Sequence, residues 1–161
     1  MKTPPPPKRP RHPAAFTLVE IMIVVVIIGL LAALAIPAYQ RVQRASQNNT
    51  VVNDFRVFSQ AFETYATQNG AWPANVGPGV VPAGVSSADF KVSAWLAPTP
   101  IGGQWNWDYN IAGFTAGVSI SNFTCTDAQL QEIDAKIDDG DLTTGNFQKT
   151  QPNRVSYILQ Q

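Results

Sequence analysis

The chain has 161 residues, enough for one domain with a sizeable core but not for two. Its 11 basic and 11 acidic residues balance, but the first 15 positions hold four basic residues and no acid, so the remainder is mildly acidic. A mildly acidic chain after residue 15 argues against nucleic-acid binding, because that function needs basic residues clustered on one face. A single His12 and a single Cys125 exclude an intrachain disulfide, a Cys/His zinc site and most histidine-dependent catalysis. The composition therefore predicts a protein that is not an enzyme.

A long apolar segment follows the basic leader. Residues 21–36 contain no polar side chain, and the stretch 16–36 contains one charge, Glu20. As a helix, this stretch would cover about 30 Å, the thickness of the hydrocarbon core of a bilayer. The basic flank predicts that residues 1–15 lie in the cytoplasm and that the chain after the span lies outside it.

Two other interpretations of the apolar segment are less favoured. A buried core helix would need more apolar material around it than the rest of the chain supplies. A cleaved secretory signal would have an apolar region of about 7–15 residues, shorter than the one found here. We therefore predict a membrane-spanning helix.

Glu20 is the one charge within this span. A carboxylate costs roughly 2.5–3.5 kcal/mol at the centre of a bilayer and less near its edge, and the span offers no cation as a partner. A free α-amine, created by cutting the chain before Phe16, could supply the missing charge, from the same or a neighbouring subunit. A filament would need the neighbour's amine. The alternative is that Glu20 lies solvated among the lipid headgroups.

The sequence AFTLVEIM at residues 15–22 resembles the processing site of type IV prepilins and type II secretion pseudopilins. The resemblance implies that a prepilin peptidase cuts between Ala15 and Phe16, that the Phe16 amine is N-methylated, and that Glu20 guides assembly. It also implies that Gly29 loosens the helix and Pro37 kinks it. Ala15 stands where the family usually has glycine, which leaves the efficiency of cleavage open.

By this resemblance the chain is a structural subunit of a type IV pilus-like or type II secretion pseudopilus filament. The implied partners are other pilins or pseudopilins, prepilin peptidase, an inner-membrane assembly platform and the lipid bilayer. The implied location is the inner membrane, with a periplasmic head, and the periplasm or cell surface once assembled. The alternative is a single-span, membrane-anchored periplasmic binding protein whose head carries the function.

Beyond the span, one apolar stripe indicates a helix packed on a sheet. Spacings of 4, 3, 4 and 3 connect its members, which are Val51, Phe55, Phe58, Phe62 and Tyr65. The sequence Asn69-Gly70 predicts the end of the helix. The expected organisation is therefore a leader at 1–15, a long helix at 16–69 and a head at 70–161.

Period-two alternation predicts the strands of the head. Residues 105–109 and 114–120 form an expected hairpin, and 154–160 form a third strand. A short helix is expected near 88–96, and the capping box at Thr126 predicts another. The expected fold is α+β, with the long helix packed against a small antiparallel sheet. The aromatic residues at 105, 107 and 109 are interpreted as core rather than as a ligand platform.

Two further features of the head leave alternatives open. Asp138, Asp139 and Asp141 are close together along the chain. Carboxylates at such spacing repel one another unless solvent or a cation weakens the repulsion. A solvated turn is favoured, and calcium is the alternative, since some pseudopilins hold calcium in a carboxyl-terminal loop. Cys125 is expected to be buried as a small hydrophobe rather than to form an intersubunit bridge or a reactive thiol.

Overall fold

The computed structural model describes residues 16–85 and 88–161. The predicted leader and Ala15 lie outside the described residues. The chain divides into two compact units, Met1–Arg41 and Val42–Gln161, and each is described by itself below. The first helix, α1, spans Leu18–Asn69 and contributes to both. It ends at Asn69, as the sequence predicts, because Gly70 adopts a φ of 72° and its N–H donates to the carbonyl of Ala66 at 2.8 Å.

In the first unit, α1 is an apolar helix whose side chains are almost all exposed. It is long and apolar enough to cross a membrane, and none of its most apolar window is buried. The helix is continuous through Pro37. The kink expected there stays a prediction.

The second unit is an α+β fold, as predicted. Its sheet has four strands in the order β1-β2-β4-β3, and every neighbouring pair is antiparallel. After α1, the elements are α2 (Val92–Leu96), β1 (Gln104–Ile111), β2 (Phe114–Ser121), α3 (Asp127–Ile137), β3 (Phe147–Gln151) and β4 (Arg154–Gln160).

The strand β3 was not predicted from the sequence. Of its five residues, FQKTQ, only Phe147 is buried, so no alternation of polar and apolar residues marks it. It is held in the sheet by pairing with β4. Its extended conformation is therefore decided by a distant partner.

The core lies between α1 and the sheet. Phe55, Phe58 and Phe62 are each no more than 1% exposed. The Phe55 ring lies 4.8 Å from that of Trp105, and the Phe62 ring stacks on Trp107 with centroids 4.1 Å apart. The two tryptophans are buried, which confirms that they fill the core instead of forming a ligand platform.

The face of β1 opposite the two tryptophans carries polar residues that are enclosed rather than exposed to solvent. Asn106 and Asp108 are buried. The Asp108 carboxylate accepts hydrogen bonds from Asn106 Nδ2 at 2.6 Å and Ser119 Oγ at 2.5 Å, and it pairs with Arg154 Nη1 at 3.0 Å. Burial raises the pKa of Asp108, and these three partners oppose the shift.

Polar side chains connect α3 to α1. Asn48 is buried and donates from Nδ2 to Glu132 Oε2 at 2.8 Å, while its Oδ1 accepts from Gln129 Nε2 at 2.9 Å. Arg44 pairs with Glu132 at 3.0 Å. The predicted cap of α3 is present, since Thr126 Oγ1 accepts from the N–H of Gln129 at 3.3 Å. These bonds fix α3 along α1 and thereby position the acidic residues at its carboxyl end.

Candidate functional site

The amino-terminal end of α1 is closed by a capping box between Thr17 and Glu20. Glu20 Oε2 accepts from the Thr17 N–H at 2.9 Å and from the Thr17 hydroxyl at 2.8 Å. In return, Thr17 Oγ1 accepts from the N–H of Glu20 at 3.2 Å. The reciprocal arrangement satisfies N–H groups that have no partner within the helix. Glu20 therefore has a local structural role besides any role in assembly.

The capping box occupies only one oxygen of Glu20. Both hydrogen bonds fall on Oε2, and within residues 16–85 and 88–161 no donor is bonded to Oε1. Glu20 is exposed, so Oε1 is open to a donor from outside this helix. The geometry permits Glu20 to cap its own helix and to bind an external cation at the same time.

The large apolar side chains of residues 16–36 are all exposed. Phe16 is 81% exposed, Leu18 75% and Leu34 72%. Apolar surface of this extent on one element marks contact with a membrane or with another protein. Gly29 lies within this surface, and a Cβ built on it would meet no atom within 4 Å. Whether Gly29 loosens the helix stays a prediction.

A second candidate site lies at the carboxyl end of α3. Carboxylate oxygens of Asp134, Asp138 and Asp139 come within 4.8 Å of one another. Asp141, which the sequence grouped with the latter two, is outside this cluster. Its Oδ1 accepts from the N–H of Thr143 at 3.0 Å and from the Thr143 hydroxyl at 2.7 Å.

Asp134 is the unusual member of this cluster. The residue is 0% exposed, and neither carboxylate oxygen has a hydrogen-bond partner. The pKa of Asp134 is raised to about 6. Burial is the main cause, and the carboxylate of Asp139 adds to the shift. The peptide group of Gly140 opposes the shift but lies outside hydrogen-bond geometry.

Cys125 is half-buried and packs against the core of the second unit. Burial, with a smaller contribution from the Asp127 carboxylate, raises the pKa of the Cys125 thiol. A raised pKa reduces the thiolate that a reactive cysteine needs. The environment therefore favours the structural interpretation of Cys125.

Sequence reasoning missed two residues of these sites. Thr17 is visible in the pattern T-x-x-E, which is the capping-box signature and stands directly before the apolar run. Asp134 precedes Asp138 by four residues, the spacing that places two side chains on one helical face. The burial of Asp134 has no signal of its own in the sequence.

Comparison with known proteins yields one matching family model and several relatives. The model described as the prokaryotic N-terminal methylation motif matches residues 10–36. Fimbrial protein EcpC of Eikenella corrodens is 41% identical over 60 residues, covering 37% of this chain and 39% of the relative. Type IV major pilin protein PilE1 of Neisseria gonorrhoeae is 40% identical over 78 residues, covering 47% of this chain and 34% of the relative. The chain thus spans well under half the length of these curated relatives.

The fold has a counterpart among solved structures. The major type IV pilin PilA1 from Clostridium difficile matches with a TM-score of 0.54 and 15% identity, over 75% of this chain and 98% of that chain. At this identity the likeness concerns the fold alone. Type IV pilins are structural subunits rather than enzymes, in agreement with the composition. The amino-terminal motif, the relatives and the fold together confirm the resemblance of this chain to the type IV pilin family.

Proposed function

We propose that the chain is a structural subunit of a type IV pilus-like filament, assembled through its amino-terminal helix. The observation that carries the proposal is the apolar surface of residues 16–36, whose large side chains are all exposed and whose single charge is Glu20. Such a helix can be stored in a membrane and later surrounded by identical helices, since both environments cover apolar side chains. The head of residues 70–161 would form the filament surface.

The proposal includes processing before assembly. A prepilin peptidase would cut between Ala15 and Phe16, and the new Phe16 amine would be methylated. The match of residues 10–36 to the methylation motif supports this step. The inner membrane would hold the subunit, with residues 1–15 in the cytoplasm and the head in the periplasm, until an assembly platform extracts it into the filament.

Glu20 would set the register between neighbouring subunits. Its Oε1 has no bonded donor among the described residues, and a protonated amine would form a strong, charge-assisted hydrogen bond with this carboxylate. The Phe16 amine of a neighbour keeps its charge after methylation. Because leaving either charge unpaired among apolar helices is costly, this pair would favour one axial position of each subunit.

Glu20→Gln provides a sharp test, because glutamine retains the capping box but removes the charge. The variant should insert into the membrane like wild type and fail to enter filaments. Thr17→Val is the matched control, since it removes the capping hydroxyl of residue 17 and keeps the negative charge of Glu20. The measurement is the ratio of sheared filament subunit to membrane subunit on immunoblots. Normal incorporation of Glu20→Gln would refute the charge-pair mechanism.

Mass spectrometry of the native amino terminus separates this proposal from the alternative of an anchored periplasmic binding protein. A filament subunit should begin with methylated Phe16. An anchored binding protein should retain residues 1–15. An intact leader on a fully functional protein would therefore refute the proposed processing and assembly together.

The relatives reported above are type IV pilins or fimbrial proteins, which favours a pilus over a type II secretion pseudopilus. A deletion strain distinguishes the two. Loss of surface filaments with intact secretion of folded proteins would support the pilus. Loss of secretion would instead place the chain in a pseudopilus.

A further inference from the structure

The acidic cluster at the end of α3 contains a carboxylate that lacks a partner. Asp134 is fully buried, and both of its carboxylate oxygens are unbonded. The ion pairs found among the described residues belong to other acids, namely Asp108, Asp127 and Glu132. Burying a carboxylate without a hydrogen bond or a cation is energetically unfavourable, so such a group normally has a partner.

The two other carboxylates are held next to Asp134 by the loop that follows α3. Asp138 Oδ2 accepts from the N–H groups of Asn146 and Phe147, the latter at 3.3 Å. Asp139 accepts from the N–H of Asp141 and the hydroxyl of Thr144, each at 2.8 Å. These bonds keep Asp138 and Asp139 in place despite their mutual repulsion.

Gly145 makes room for the cluster. Its φ of 69° belongs to the left-handed region, and a Cβ at this position would collide with the Asp138 carboxylate. The loop thus approaches the carboxylates more closely than a residue with a side chain would permit. Together, α3 supplies a buried acid and the loop supplies two oriented acids around one point.

We propose that Asp134, Asp138 and Asp139 bind one calcium ion. The cluster offers only oxygen atoms, which are the ligands of hard cations. Carboxylates from a helix end and from a loop suit the irregular coordination that calcium accepts, whereas magnesium demands a nearly ideal octahedron. The ion would neutralise the buried Asp134 and fasten the end of α3 to the start of β3.

Calcium binding to the full chain in detergent tests the proposal, without any need for filaments. Isothermal titration after removal of divalent ions should show one calcium per chain and no comparable binding of magnesium. Calcium at a hundredfold excess over its Kd should raise the melting temperature by about 5–10 °C relative to the chelator EDTA.

The variants Asp134→Asn and Asp141→Asn form a matched pair. Both remove one negative charge near the loop, but only the first removes a proposed ligand. The amide oxygen introduced by Asp141→Asn can still accept from Thr143, so the local turn is kept. Asp134→Asn should abolish the calcium-dependent rise in melting temperature, and Asp141→Asn should retain it. If Asp134→Asn does not fold, Asp139→Asn serves as the ligand variant.

Four results would overturn the proposal. The first is the absence of calcium binding to the wild-type chain. The second is wild-type-like binding by the ligand variant, and the third is an equal loss of binding in both members of the pair, which would indicate a diffuse effect of charge. Tighter binding of magnesium would overturn the assignment to calcium. None of these outcomes bears on assembly through Glu20.

Discussion

Replacing Phe55 with alanine should strongly destabilise the head. Phe55 is 1% exposed, and its ring makes edge contacts with Trp105 at 4.8 Å and with Phe147 at 5.3 Å. Truncation of a buried Phe to Ala costs about 3–5 kcal/mol, and each aromatic pair adds roughly 0.5–1.5 kcal/mol to area burial alone. We therefore expect a loss of about 4–5 kcal/mol, a large fraction of the roughly 5–15 kcal/mol that stabilises a domain.

Urea unfolding of the full chain in detergent, followed by tryptophan fluorescence, measures this loss. All four tryptophans lie between positions 72 and 107, so the signal reports on the head and not on the apolar span. For a slope of about 2 kcal/mol per molar urea, the midpoint should fall by about 2 M.

Val57→Ala is the matched control, because Val57 lies on the same helix and is 41% exposed. Its effect should stay within about 0.5 kcal/mol. A loss below about 1 kcal/mol for Phe55→Ala would refute the inference that this face of α1 forms the core.

Two further predictions concern polar groups of the head. Arg154→Ala should cost about 3–5 kcal/mol in the same urea assay, because it leaves the buried Asp108 carboxylate without its cation, and adding Asp108→Asn should restore part of the loss. No recovery in the double variant would contradict this reasoning. Cys125 should react with iodoacetamide at pH 8 more slowly in the folded chain than in urea, because burial raises its pKa. Equal rates measured by mass spectrometry would identify Cys125 as an accessible thiol.

Local patterns were sufficient to predict most of the helices and strands. The period of the apolar residues identified the buried face of α1, and alternation identified β1, β2 and β4. Each of these signals lies within a few consecutive turns or residues, because the element buries one face of its own. The strand β3 has no such face, and only its pairing with β4 makes it extended.

In the candidate sites, too, local sequence features were predictable and contacts between distant residues were not. The sequence marked Phe16 and Glu20 as candidate residues, because their position before an apolar run is a local feature, and their roles stay predictions. It grouped Asp141 with Asp138 and Asp139 by proximity along the chain, whereas the structure brings Asp134 to that cluster.

The sequence by itself determined that the chain carries a helix able to cross a membrane, with one acid near its beginning, because hydropathy depends on consecutive residues alone. Only the tertiary structure decided which polar groups lie inside the head. Asp108 and Asp134 are ordinary acids in the sequence, and both are buried in the folded head. Burial depends on what packs around a residue, and those neighbours come from distant parts of the chain.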